Sequence, residues 1–173
     1  MDAVTQRVVG LHVAKGRRLP TREVERVEVE TGRGIVGDRY HGAKHRHVSV
    51  QSLDDLAEAT RLHGADVPPG LTRRNVTLDH GEVPRTPGVR LRVGDPATGV
   101  LLEVVRVAAP CKLLDDTIGP GAQQALRRRG GTIFRVLEGG TIALGDEVVV
   151  LEAQDAAGSA GLTGSAGSAA SAT

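Results

Sequence analysis

Residues 32–42 read Gly32-Arg-Gly34-Ile-Val-Gly37-Asp38-Arg39-Tyr40-His41-Gly42, and the fold turns on how they are interpreted. The first six match GxGxxG and come after a Val-rich run. A dinucleotide fingerprint must also open a helix, so that pyrophosphate meets the free N–H groups at its N-terminus. The next residues have a loop composition instead, so the stretch reads as a glycine-rich turn between strands and the doubly wound sheet is rejected. As a loop, residues 37–42 place an acid, a guanidinium, a phenol and an imidazole between two permissive glycines, which makes a candidate site wall. The competing interpretation is a turn in which Asp38 bonds local backbone and Arg39 is solvated.

Working outward, short Val-rich runs bounded by Gly or Pro recur and read as strands: 7–15, 24–30, 47–51, 75–78, 90–93, 101–107, 133–137 and 147–152. Two stretches carry helical spacing. One has Ser52 as N-cap, with Leu53, Leu56 and Leu62 spaced for one face, and ends at Gly64; the other runs from Gly121 to Arg129 and ends at Gly130. Many strands, few helices and no regular strand–helix alternation predict a mostly β, closed or partly closed barrel with short helical decoration.

The 173 residues suit one compact domain, placed at 1–152. Residues 153–173 are almost entirely Ala, Gly, Ser and Thr, which predicts a flexible, disordered tail. Val, Leu, Ile and the one Phe make up about 26% of the chain, above the roughly 20% below which chains stay disordered. With only Tyr40 and Phe134 as aromatics, the core must be aliphatic.

A net charge of +1 argues against a broad duplex-binding surface, and two aromatics cannot form a stacking platform for single strands, so nucleic acid is not expected as a partner. No apolar run approaches the roughly 20 residues of a membrane span and no signal segment is recognisable, so the expected location is the cytoplasm, with no membrane association. The basic residues are 19 Arg to 3 Lys, a bias that suits planar contacts with carboxylate or phosphate and that a GC-rich genome also produces.

Three groups of residues are candidates for chemistry. His41, His45 and His47 invite a metal reading, but there is no HExxH and no paired cysteine, and Lys44 and Arg46 would repel a cation. Solvated or hydrogen-bonded histidines are the preferred reading. In Thr72-Arg-Arg-Asn75-Val-Thr77, strand alternation would send Arg73 and Asn75 to one face and Arg74 to the other. The pair could then hold an anion and a heterocyclic edge together; an edge strand guarded by charge would explain the arginines but not the Asn. Pro110 cannot continue the ladder after Val107, so Cys111 should sit in a loop at a strand end. Lys112 and nearby arginines would favour a reactive thiolate there, whereas an inward-facing cysteine would be inert. Arg127, Arg128 and Arg129 are explained by the dipole of the helix they end.

Taken together and in order, GIVGDRYHG (34–42), HVSVQS (47–52), LTRRNVTL (71–78), VRVAAPCKLLDD (105–116) and GGTIFRVLEGGTIALGDEV (130–148) resemble the MOSC family, the module named after the C-terminal part of molybdenum cofactor sulfurases. The likeness covers about residues 30–150. It implies a strand-rich, barrel-like fold and a cysteine, matched by Cys111, that carries persulfide sulfur or ligates molybdenum. It also implies that Arg73 and Asn75 contact the pterin of the molybdenum cofactor, and that Asp38 and Arg39, which match the family's GDR element, shape the pocket. Neither a companion N-terminal β-barrel domain nor a desulfurase domain is recognised, so the chain looks like a stand-alone member. Any pyridoxal phosphate would then belong to a partner cysteine desulfurase acting as sulfur donor. The expected function is molybdenum-cofactor binding or sulfur carriage. The alternatives are a small molybdenum-dependent reductase of N-hydroxylated compounds and a non-enzymatic module delivering cofactor. A molybdoenzyme or an electron-donor protein would be the partner.

Overall fold

A computed structural model describes residues 5–152. The stretch 153–173, expected to be a flexible tail, lies outside the described residues.

Among the described residues, eleven strands and three α-helices succeed one another along the chain. The N-terminal half holds β1 (Gln6–Val13), β2 (Arg22–Glu23), β3 (Arg26–Glu30), β4 (Gly34–Ile35), β5 (Val48–Ser52), α1 (Leu53–His63) and β6 (Val76–Leu78). The C-terminal half holds β7 (Arg90–Val93), β8 (Val100–Val107), α2 (Leu113–Thr117), α3 (Ala122–Ala125), β9 (Thr132–Glu138), β10 (Gly140–Ala143) and β11 (Glu147–Leu151). Seven strands close into a barrel in the order β11-β7-β8-β9-β5-β6-β1, with β1 returning to β11. The mostly β, barrel-like expectation is therefore met. Closure pairs Gln6 with Val148, which leaves no open edge around the barrel. The pairings are antiparallel except β5 with β6, which are parallel and joined through α1. A three-stranded sheet, β10-β3-β4, lies beside the barrel.

Phe134 fills the barrel interior with Leu11, Leu91 and Leu102, each with no exposed surface. Val27, Val29, Ile35 and Ile142 of the small sheet belong to the same apolar cluster, so the two sheets share one aliphatic core. A second cluster joins Leu56 and Ala59 of α1, Leu114 of α2, and Ala122 and Leu126 in and after α3.

Ser52 caps α1 as the sequence predicts, its hydroxyl accepting from the Asp55 N–H, and Gly64 ends the helix at φ 80° with its N–H on the Thr60 carbonyl. The inward face differs from expectation: Leu56 and Ala59 are buried, while Leu53 and Leu62 are 37% and 48% exposed. The helix expected over 121–129 stops at Ala125, because Leu126 to Arg129 form turns and Arg128 adopts a φ of 64°. In residues 32–42 no helix forms; Gly32, Gly34 and Gly37 all have positive φ, and a Cβ on Gly34 would lie 2.9 Å from the His47 carbonyl oxygen. The glycines therefore serve a turn around β4, and the dinucleotide reading fails on geometry as well as on composition.

Candidate functional site

Four irregular segments meet at one end of the barrel: the exit of β1, the loop after β4, the turn entering β6 and the segment after β8. Between them lies a cavity of about 120 Å³ lined by Arg17, Arg39, Arg46, Arg73, Arg74 and Cys111, among others.

Asp38 builds the wall without facing the cavity. Its side chain is fully buried and accepts from the Ala14 and Tyr40 N–H groups at 3.1 and 3.2 Å and from the Arg39 guanidinium at 3.4 Å. Arg39 in turn donates its backbone N–H to the Ala14 carbonyl and its Nη2 to the Arg73 carbonyl at 3.0 Å. The GDR element thus ties the β1 exit to the β6 turn. Tyr40 is flanked by two guanidiniums, Arg39 at 4.6 Å and Arg46 at 4.0 Å from the ring centre.

The expectation that strand alternation puts Arg73 and Asn75 on one face is corrected. The strand begins only at Val76, and Arg73 sits in a turn with φ 64°, so alternation does not apply to it. Arg73 lines the cavity, while its guanidinium donates to the carbonyls of Gly16, Arg17 and Leu19. Asn75 lies away from the cavity lining. Its amide oxygen accepts from the backbone and hydroxyl of Ser49, both at 3.0 Å, and its amide nitrogen donates to the His12 carbonyl at 3.1 Å.

Arg74 does enter the cavity lining. Its Nε donates to the Gly130 carbonyl and its Nη2 to the Ala109 carbonyl, and no carboxylate pairs with it among the described residues. Burial pushes its guanidinium down to about 10, with the neighbouring Arg46 adding to the effect. Burial likewise lowers Arg46, whose Nε is enclosed with no hydrogen-bond partner.

The lining therefore carries five guanidiniums and no carboxylate, with only Asp38 behind Arg39 to offset them. Arg73 and Arg74 are buried and Arg39 and Arg46 half-buried, while Arg17 is exposed at the rim. Enclosed positive charge in excess of counter-charge is costly, so this arrangement favours an anion. Cys111 is exposed and lies in a loop beyond the end of β8, as Pro110 predicts. The Gln123 side chain donates to the Pro110 carbonyl at 3.2 Å and its backbone N–H to Asp115 at 2.8 Å, which fixes the segment leading into the cysteine.

Of the candidate residues, Arg39, Arg73 and Cys111 come together, whereas Asp38 and Asn75 support them from behind. Arg17, Arg46 and Gln123 carry no sequence motif. The 19-to-3 arginine bias is a signal for the first two, but it does not say which arginines converge.

The histidines do not converge. His41 pairs with Glu30 at 3.0 Å and His45 is exposed. His47 uses both ring nitrogens, Nε2 donating to the Ala43 carbonyl at 2.8 Å and Nδ1 accepting from the Val136 N–H at 3.0 Å, so neither is free for a metal. A larger groove of about 680 Å³ lies across the Ala109–Pro110 segment, edged by Arg127 and Arg128; Cys111 does not line it.

In solved structures the same fold appears in YuaD from Bacillus subtilis, with a TM-score of 0.78 at 20% identity over 87% of this chain and 98% of that one. YiiM from Geobacillus stearothermophilus gives 0.65 at 21% identity, covering 85% and 75% of the two chains, and YiiM from Escherichia coli gives 0.63 at 17%, covering 87% and 71%. At these identities the likeness speaks for the fold alone. A search of curated protein sequences gives no match. The family model described as the MOSC domain matches residues 37–149, well over half of the chain, and takes in the Asp38-Arg39 loop, the Arg73-Arg74-Asn75 turn and Cys111. The chain therefore belongs to the MOSC domain family.

Proposed function

We propose that this chain binds the molybdenum cofactor or handles sulfur destined for it, with Cys111 as the reacting or ligating group. The family is one associated with that cofactor. The observation that carries the reading is the exposed cysteine at a cavity lined by five arginines without a carboxylate.

The donor set fits. A thiolate is a soft ligand for a transition metal and a nucleophile toward sulfane sulfur, and guanidiniums match phosphate oxygens in forked pairs. A volume of about 120 Å³ accepts a phosphate-sized group and falls well below the roughly 300–1,000 Å³ of pockets that enclose whole ligands, so the cavity suits the anionic end of the cofactor and not the whole of it. When bound, molybdenum would supply redox and atom-transfer chemistry. Arg74, Arg46, Arg39 and Arg17 would hold the anionic end of the cofactor, while Arg73 and Asp38 keep the surrounding loops in place and Asn75 locks β1 to β5 behind them. In the sulfur-carrying role, the Cys111 thiolate attacks the outer sulfur of a donor persulfide, such as that of a cysteine desulfurase, and releases the donor thiolate.

The test is mass spectrometry of protein purified under anaerobic conditions, with molybdenum and pterin assayed on the same sample, for wild type and Cys111→Ser. An extra sulfur or bound molybdenum that disappears in the variant is expected. A wild-type protein that carries neither, even after incubation with a persulfide donor or with cofactor, overturns the reading.

A further inference from the structure

Arg73 stands where a ligand contact was expected, yet three of the five N–H donors of its guanidinium go to its own chain. Nη1 donates to the Leu19 carbonyl at 2.7 Å, and Nη2 to the carbonyls of Arg17 at 2.7 Å and Gly16 at 3.4 Å. The three oxygens belong to one loop, the exit of β1, and converge on one planar fork. The residue that presents the fork is in the left-handed region, at φ 64°, which non-glycine residues enter only where surrounding contacts demand it. Its own carbonyl accepts from Arg39, so the turn is held from both sides.

The loop needs such a clip. Lys15, Arg17 and Arg18 are close in sequence, none forms an ion pair among the described residues, and Arg17, exposed at the rim, borders a cavity already lined by Arg39, Arg46 and Arg74. Mutual repulsion drives these cations apart. The Leu19 N–H closes a turn on the Gly16 carbonyl, and Thr21 anchors the far end to the Gly70 carbonyl at 2.6 Å, but neither contact orients Arg17. The backbone contact that restrains Arg17 itself is its carbonyl on Arg73.

We propose that Arg73 is a positioning residue: its guanidinium clips the Gly16–Leu19 loop so that Arg17 presents positive charge to the cavity beside Cys111. The proposal rests on reading the cavity as an anion site and needs no particular cofactor. It also separates the roles of two adjacent arginines, because Arg74 faces the anion while Arg73 shapes the loop that brings a further cation to it.

The local potential at Cys111 can be read without any ligand, as the ratio of its alkylation rates by iodoacetate, an anion, and iodoacetamide, its neutral counterpart. Arg17→Ala should lower that ratio several-fold. Arg73→Lys keeps the charge but loses the fork; it should lower the ratio to a similar extent, and should lower it no further in the Arg17→Ala background. Insertion of one glycine between Arg17 and Arg18, which leaves Arg73 untouched, should give the same loss. A wild-type ratio in Arg73→Lys, a further multiplicative loss in the double variant, or a wild-type ratio in the insertion variant would each overturn the proposal. Because alkylation needs no molybdenum or sulfur donor, failure here leaves the proposed function standing. Conversely, protein that binds neither molybdenum nor sulfur would still report on the clip.

Discussion

Asn75 is conspicuous in the sequence because a strand entrance has little use for an amide, and that oddness is real. Its cause lies in the scaffold, since the side chain joins Ser49 on β5 to the His12 carbonyl on β1. Replacing it with Ala leaves the Ser49 N–H, the Ser49 hydroxyl and the His12 carbonyl short of partners in a buried place. Asn75→Ala should therefore lower stability by about 1–3 kcal/mol in urea unfolding. Cys111→Ser should behave in the opposite way. The side chain is exposed and makes no packing contact worth a cavity, so stability should stay within about 0.5 kcal/mol of wild type while any bound sulfur or molybdenum is lost. A sequence shows which residue types are out of place, but not whether solvent, ligand or backbone satisfies them. Cys111 was legible because Pro110 dictates a loop locally, whereas the partners of Asn75 are 26 and 63 residues away.

At the level of elements, local rules worked where the element carries its own signal. Ser52 and Gly64 bracket α1 by capping chemistry alone, and β7 is legible from Arg90-Leu-Arg-Val93 alternation. The two-residue strands β2 and β4 are too short to show a period, and α2 offers only five residues. Helical spacing past Ala125 misleads because the Arg127–Arg129 run satisfies a helix template while the chain must turn back toward β9. The observed face of α1 makes a sharp comparison possible. Leu56→Ala empties a position that is 3% exposed and should cost about 2–5 kcal/mol, whereas Leu62→Ala, at 48% exposed, should cost under about 0.5 kcal/mol. Equal losses in chemical denaturation would mean that α1 is rotated so that Leu62 also faces the core.

The whole barrel depends on contacts that no local pattern announces: Gln6 pairs with Val148 to close it, and β5 with β6 runs parallel in an otherwise antiparallel set. His47 ties the site loops to this closed body, since it bonds the Ala43 carbonyl on one side and the Val136 N–H of β9 on the other. Accepting at Nδ1 requires the neutral ring, and burial, the largest influence, also pushes its pKa below the ordinary value of about 6.5. His12 is lowered by burial too, with Glu23 pulling the other way. Between the ordinary and the lowered values the unfolded chain binds more protons than the folded one, so stability rises with pH there. The histidine contribution is complete above about pH 6.5 and is lost as pH falls through the folded values. Carboxyls act at lower pH, and two of the more enclosed ones pull in opposite directions. Burial raises Glu103, but Arg135 and Arg90 outweigh it and hold it below the usual range, so its contribution also disappears on acidification; Asp55, raised by burial, works in the opposite sense. Melting temperature should therefore fall between about pH 7.5 and 5.5, before carboxylate titration dominates. His47→Gln, which cannot take up a proton, should be less stable at the upper end of that interval but show a shallower fall across it. A variant that kept the full wild-type slope would assign the acid sensitivity to His12 and leave the neutral His47 bridge without a part in it.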